Sequence, residues 1–166
     1  MTVRPIVKFP DPRLRAVAEP VSVFDEDLRH LAIDLAETMH AAPGIGITAP
    51  HIGTLRRVVV LHVPPAAQPR AYINPSIVWA SDEKIRHAEG SVSMPGVTED
   101  VERHARVHVR YQDLDGVERI EEADGLLAVC HQHEIDQLDG IFWIQRLSRL
   151  KRDRLIKRYE KLLRVA

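Results

Sequence analysis

The residues best suited to chemistry lie together in Gln132-His133-Glu134-Ile135-Asp136-Gln137. On a helix, positions i and i+4 stand one turn apart on one face, so the arrangement H-E-x-x-H aims two imidazoles at one metal. Its glutamate then serves as general base and acid toward the metal-bound water. Here His133 and Glu134 hold the first two positions, and Gln137 stands where the second histidine belongs. Cys130 and His131 adjoin this pair, but neighbours on a helix face different directions, so Cys130, His131 and His133 do not form a chelate. Cys130 reads as a core residue. His30, His40, His62, His87, His104 and His108 show no ligand spacing and read as surface or structural residues.

Elements that can position such a helix are legible along the chain. Leu28, Leu31, Leu35 and Met39 recur at helical spacing within Phe24 to His40, which predicts an amphipathic helix ending near Pro43-Gly44. Arg57 to Val63 is rich in β-branched residues and stops at Pro64-Pro65, and Ala71 to Trp79 is a second extended run interrupted by Pro75. Val101 to Arg110 alternates and leads through the turn Asp113-Leu114-Asp115-Gly116 into another extended run from Val117, predicting a hairpin. By periodicity alone Leu126 to Cys130 fits a strand or a buried helix; length favours a helix ending near Gly140. Ser148 is the expected N-cap of a last helix, with Leu155, Ile156, Tyr159, Leu162 and Leu163 on one face.

The chain has 166 residues, a length that fits one domain, taken as residues 1–166. There is no repeat, no low-complexity tract and no continuous apolar run of membrane-spanning length. A single cysteine makes no internal disulfide, which agrees with a reducing compartment, and a cytoplasmic location is expected. Formal net charge is -1, which gives the whole molecule no preference for nucleic acid or membrane. Positive charge is concentrated in the tail, from Arg146 to Arg164.

Two further segments fall into order around the His-Glu pair. Gly44-Ile45-Gly46-Ile47-Thr48-Ala49-Pro50-His51, Glu89-Gly90-Ser91-Val92-Ser93 and Gln132 to Gly140 resemble the three motifs of the peptide deformylase family. Asp11-Pro12-Arg13-Leu14-Arg15, Ile73-Asn74-Pro75 and Ser148-Arg149-Leu150-Lys151-Arg152 resemble its flanking text, so the likeness covers essentially the whole chain. It implies an α+β fold, with small antiparallel or mixed sheets around the helix of His133 and Glu134 and a basic C-terminal helix. It implies removal of formyl groups from the N-terminal methionine of nascent chains. In active relatives a metal, usually iron and often replaced by zinc or nickel, is held by a cysteine and two histidines. Those positions here are Ser91, His133 and Gln137. The glutamine that helps bind the formyl carbonyl is replaced by His51, and the resemblance assigns a backbone N–H to Val92. Gly44, Ile45, Gly46 and Gly90 line the implied peptide groove.

A serine hydroxyl is neutral and rarely coordinates zinc or iron, and an amide is a poorer donor to them than imidazole. The expectation is no metal, or Fe(II) or Zn(II) if one is bound. Without a metal, water keeps a pKa near about 15.7 instead of about 7, so deformylase activity should be lost or strongly reduced. Several alternatives accompany that reading. His51 could join His133 with Glu134 or Glu89 in a rebuilt metal site, giving an active amide hydrolase. Ser91 could act as a nucleophile activated by His51. Arg103 falls where the family has an arginine near the groove, and a structural role fits it equally. The groove could still hold an N-terminal peptide as an added strand. The basic tail suits either ribosomal RNA or a solvated helix face.

Overall fold

A computed structural model describes residues 2–166 of the chain. Helix α1, Glu26–Ala41, is capped by Asp25, whose side chain accepts from the Leu28 N–H at 3.0 Å, and it buries Leu28, Leu31, Leu35 and Met39 as the periodicity predicts. It ends where the Gly44 N–H donates to Met39 O at 2.8 Å, just past Pro43. A five-stranded antiparallel sheet follows, in the order β1 (Gly46–Thr48), β2 (Val58–Leu61), β3 (Arg70–Ala80), β6 (Arg106–Gln112) and β7 (Glu118–Asp124). Strands β4 (Lys84–Ser91) and β5 (Met94–His104) form a separate antiparallel pair.

The apolar run of β2 has a direct cause. Val58 and Val60 pack with Leu28, Leu31, Leu35 and Met39 on one face of the sheet. Val59 and Leu61 pack on the other with Tyr72, Val107, Val109, Ile135 and Leu138. All four β2 residues are therefore buried, each large one contributing roughly 1.5–3 kcal/mol of burial. The second of these faces is covered by α2, Gly125–Leu138, so the ambiguous run from Leu126 is a helix. A third apolar cluster lies under β5 and joins Val7, Leu14, Met94, Val101, Trp143, Ile144, Leu155 and Tyr159. It seats α3, Arg149–Val165, whose N-cap Ser148 accepts from the Lys151 N–H at 3.3 Å.

Some expectations are corrected. Val101 to Arg110 is not one strand: β5 ends at His104, Ala105 donates its N–H to Glu83 O, and β6 begins at Arg106. Pro75 does not end β3, because the register with β6 shifts between Ile73 and Ser76; at that bulge Asn74 takes φ 51° and bonds both Val21 N–H and Val21 O. On α3 only Leu155 and Tyr159 are buried, while Leu162 and Leu163 stand exposed. No helix among the described residues is long and apolar enough to cross a membrane.

Candidate active site

Every residue of α2 from Ala128 to Leu138 is buried, although six of the eleven are polar. Buried polar groups need partners, and different elements supply them. His131 Nε2 lies 2.7 Å from Glu121 Oε1 on β7. The Gln132 amide accepts from the His104 N–H and donates to His104 O, both at 2.9 Å, clasping the end of β5. His133 Nδ1 donates to Glu89 Oε1 of β4 at 2.8 Å. Asp136 accepts from Arg103 at 2.7 Å and from two nitrogens of Arg146 at 2.7 and 2.9 Å. Gln137 Nε2 donates to Leu14 O at 2.7 Å. Glu134 is the exception, for its Oε2 is buried with no partner.

A cavity of about 380 Å³ opens over this face of the helix. Its walls are the 42–46 segment, the 87–92 segment with Pro95 and Gly96, and Leu126, Val129, Cys130, His133 and Glu134 of α2, with His51 at the base. The structure thus brings Gly44, Ile45, Gly46, His51, Gly90, Ser91, Val92, His133 and Glu134 to the lining of one cavity. Gln137 does not line the cavity. Cys130 is buried as expected and also forms part of the wall; burial pushes its thiol up to about 12, which keeps it protonated.

Local structure explains each placement. Ser91 pairs with Met94 across the two-residue turn Val92-Ser93, which sets Ser91 and Val92 at the cavity rim. That turn is tied to the N-terminal arm by the Phe9 N–H donating to Ser93 O and Lys8 Nζ donating to Val92 O. The Ser91 hydroxyl accepts from the Ser93 N–H at 3.1 Å. Gly46 on β1 is needed for close approach: a Cβ there would stand 3.1 Å from Glu134 Oε1 and 3.0 Å from Leu61 Cδ2.

His51 sits in a single turn of 3-10 helix, Ala49–Ile52, after β1. It is neither at the surface nor fully satisfied. The Thr48 N–H donates to Nδ1 at 2.9 Å, so Nδ1 carries no hydrogen and the neutral ring carries it on Nε2. That Nε2 is buried without a partner. Burial, with the charge of His133 adding to it, holds the His51 pKa down at about 3, so the ring is a fixed neutral donor.

Around His133 the charges alternate. Burial works against the Glu89 carboxylate, but hydrogen bonds from Arg103 and His133 outweigh it and hold the group at about 2. Burial likewise opposes the charged His133 ring, yet Glu134 and Glu89 raise its pKa overall. Glu134 itself is pushed up to about 7 by burial; Oε1 lies 3.7 Å from His133 Nε2 and Oε2 lies 3.9 Å from His51 Nδ1. Arg103 makes a two-pronged pair with Glu89 at 2.7 and 2.8 Å and also meets Asp136. It is 4% exposed and belongs to the chain of contacts His133, Glu89, Arg103, Asp136, Arg146. Sequence reasoning missed this chain, because Arg103 and Arg146 lie outside the three motifs.

The three positions that the resemblance assigns to a metal hold a hydroxyl bonded to a backbone N–H, one imidazole, and an amide bonded to Leu14 outside the cavity lining. Among the described residues no group of three or more His, Cys, Asp or Glu side chains is placed to hold a metal ion. That donor set does not fit zinc or iron, which take thiolate, imidazole and carboxylate. The rebuilt site of His51, His133 and a carboxylate is not assembled either, because Nδ1 of His51 is occupied by Thr48. No hydrogen bond joins Ser91 to His51, so the nucleophile arrangement is likewise not formed.

Comparison with known proteins places the chain. The family model for polypeptide deformylase matches residues 3–153. A "Peptide deformylase-like" protein of Brucella suis biovar 1 is 76% identical over 164 residues, covering 99% of this chain and 100% of the relative. A "Peptide deformylase" of the same organism is 45% identical over 165 residues, covering 98% and 94%. The crystal structure of peptide deformylase from Ehrlichia chaffeensis superposes with a TM-score of 0.93 at 39% identity, covering 99% of this chain and 98% of that one. With an α+β fold that matches solved members and a family model spanning nearly its whole length, the chain belongs to the polypeptide deformylase family.

Proposed function

We propose that this protein is a deformylase-family member with lost or strongly reduced deformylase activity, which keeps the groove for N-terminal peptides. The observation that carries the reading is the Gln137 amide, which donates to Leu14 O at 2.7 Å instead of facing the cavity. A hydroxyl at Ser91 supports it, since neither a hydroxyl nor an amide is a strong donor to the cation that would lower the pKa of a bound water. His51 and Glu134 line the cavity, and the main chain of its 42–46 and 87–92 walls can hold an N-terminal peptide by backbone hydrogen bonds without a metal. Two Brucella suis relatives separately named "Peptide deformylase-like" and "Peptide deformylase" agree with a division of roles between two proteins. Cytoplasmic work beside the ribosome, with Arg146 to Arg164 as the RNA-facing stretch, belongs to the same proposal.

An active amide hydrolase is the second reading, favoured by Glu134, whose pKa of about 7 suits a general base at neutral pH. Metal analysis of untagged, anaerobically purified protein, read beside turnover and calorimetric binding of a formyl-Met peptide, separates the two. Binding without metal or turnover is expected; stoichiometric metal with turnover would overturn the first reading.

A further inference from the structure

Away from the cavity base, His40 at the end of α1 and His62 just after β2 meet with Nε2 and Nδ1 2.9 Å apart and ring centroids 5.1 Å apart. His62 Nε2 donates to Ala66 O at 3.0 Å, which leaves its Nδ1 lone pair directed at His40. His40 is exposed and His62 partly so. We infer that this pair is a two-histidine site for a late first-row divalent cation such as Zn²⁺, stapling the end of α1 to the end of β2.

The geometry suits it. Two nitrogens each about 2.0–2.1 Å from one ion, at an angle of about 90–110°, stand roughly 2.9–3.4 Å apart, so the separation needs to open by at most about half an ångström while each ring turns by roughly 35–45° to aim its lone pair at the ion. Metal-bound imidazoles characteristically donate the other ring N–H to a carbonyl or carboxylate, and the His62 contact with Ala66 O already does so. His40 must present Nε2 without its hydrogen, which it does by adopting the neutral tautomer protonated on Nδ1; solvent at this exposed position carries the proton between the two nitrogens. Water fills the remaining positions on the ion.

The location gives the site a consequence. The segment from Ala42 to Ile45, between the two histidines in the fold, lines the cavity, and the His62 N–H donates to Ile45 O at 2.8 Å. An ion on His40 and His62 therefore fixes both ends of that wall. The inference does not rest on the proposed function, since neither histidine belongs to the cavity lining.

The test uses the untagged full chain titrated with Zn²⁺ by calorimetry, with amide hydrogen exchange read in the same samples. One site is expected, weakened about tenfold or more in His62→Gln and in His40→Gln and kept in His133→Gln. Exchange at Ile45 and His62 should slow when zinc is added to the unsubstituted protein. Absence of binding, an affinity unchanged from the unsubstituted protein in either surface variant, loss of the site in His133→Gln, or exchange unaffected by zinc would each overturn the inference. Circular dichroism of the variants confirms that a lost site is not a lost fold.

Discussion

Glu134→Gln isolates the most unusual group in the molecule. The Glu134 carboxyl is held at about 7 in the folded protein against 4.5 for an ordinary glutamate. Between those values the unfolded chain has given up the proton and the folded protein keeps it. Folding therefore binds a proton in that window, and stability falls as pH rises through it. The contribution is present in full below about pH 4.5 and lost above about 7. A difference of about 2.5 units corresponds to about 3 kcal/mol. Glutamine has nearly the same shape and no charge to desolvate. Part of the gain is offset, because Glu134 also raises the His133 pKa.

Urea denaturation of both proteins at pH 5, 6, 7 and 8 gives the measurement. The variant is expected to match the parent near pH 5 and to exceed it by about 1–3 kcal/mol at pH 8. His51, held at about 3, contributes in the opposite sense, with stability lost as pH falls from about 6.5 toward 3. It is common to both proteins and cancels in the difference. A difference that is flat with pH, or a variant less stable than the parent at pH 8, would refute the account of Glu134 as a buried carboxyl lacking a hydrogen-bond partner at Oε2.

Other perturbations follow from the same geometry. Arg103→Met leaves Glu89 and Asp136 buried without their shared cation, and it should cost about 3–5 kcal/mol in urea denaturation; a change below 1 kcal/mol would show that the ion chain is solvated. Gly140→Ala should lower the melting temperature at a cost of about 1–3 kcal/mol, because Gly140 has φ 77° and a Cβ would stand 2.6 Å from Arg15 O; unchanged melting would contradict that packing. Ser91→Cys with Gln137→His should bind one zinc more than the unsubstituted protein, and a double variant that gains no site would refute the assignment of those two positions.

What the sequence made legible was local. Leu28, Leu31, Leu35 and Met39 share one helix face, and β2 is apolar throughout because helices cover both its faces. Strand β4 escaped because Lys-Ile-Arg-His-Ala-Glu-Gly-Ser has little apolar alternation; it buries Glu89 in an ion pair instead of a row of aliphatic side chains. The break at Ala105 was hidden because alternation continues across it. The site's residue types were visible, but their pairing was not: Arg103 reaches partners 14 and 33 positions away, and no spacing rule encodes such contacts. The orientation of His51 depends on a backbone N–H three residues earlier, which residue identity does not disclose.

The placement of polar groups on α2 bears on how a helix so fully buried is held in the fold. Each buried polar side chain except Glu134 grips a different part of the fold: β7 through His131, β5 through Gln132, β4 through His133, the Arg103 and Arg146 guanidiniums through Asp136, and the N-terminal arm through Gln137. Gln137 thus has a structural task at Leu14 that needs no metal, and His133 is oriented by Glu89 whether or not an ion is bound. Glu134 alone makes no such bond through Oε2, yet Gly46 leaves room for Oε1 beside it. A buried carboxyl with an oxygen that makes no such bond is costly to charge, which is why burial pushes the Glu134 pKa up to about 7.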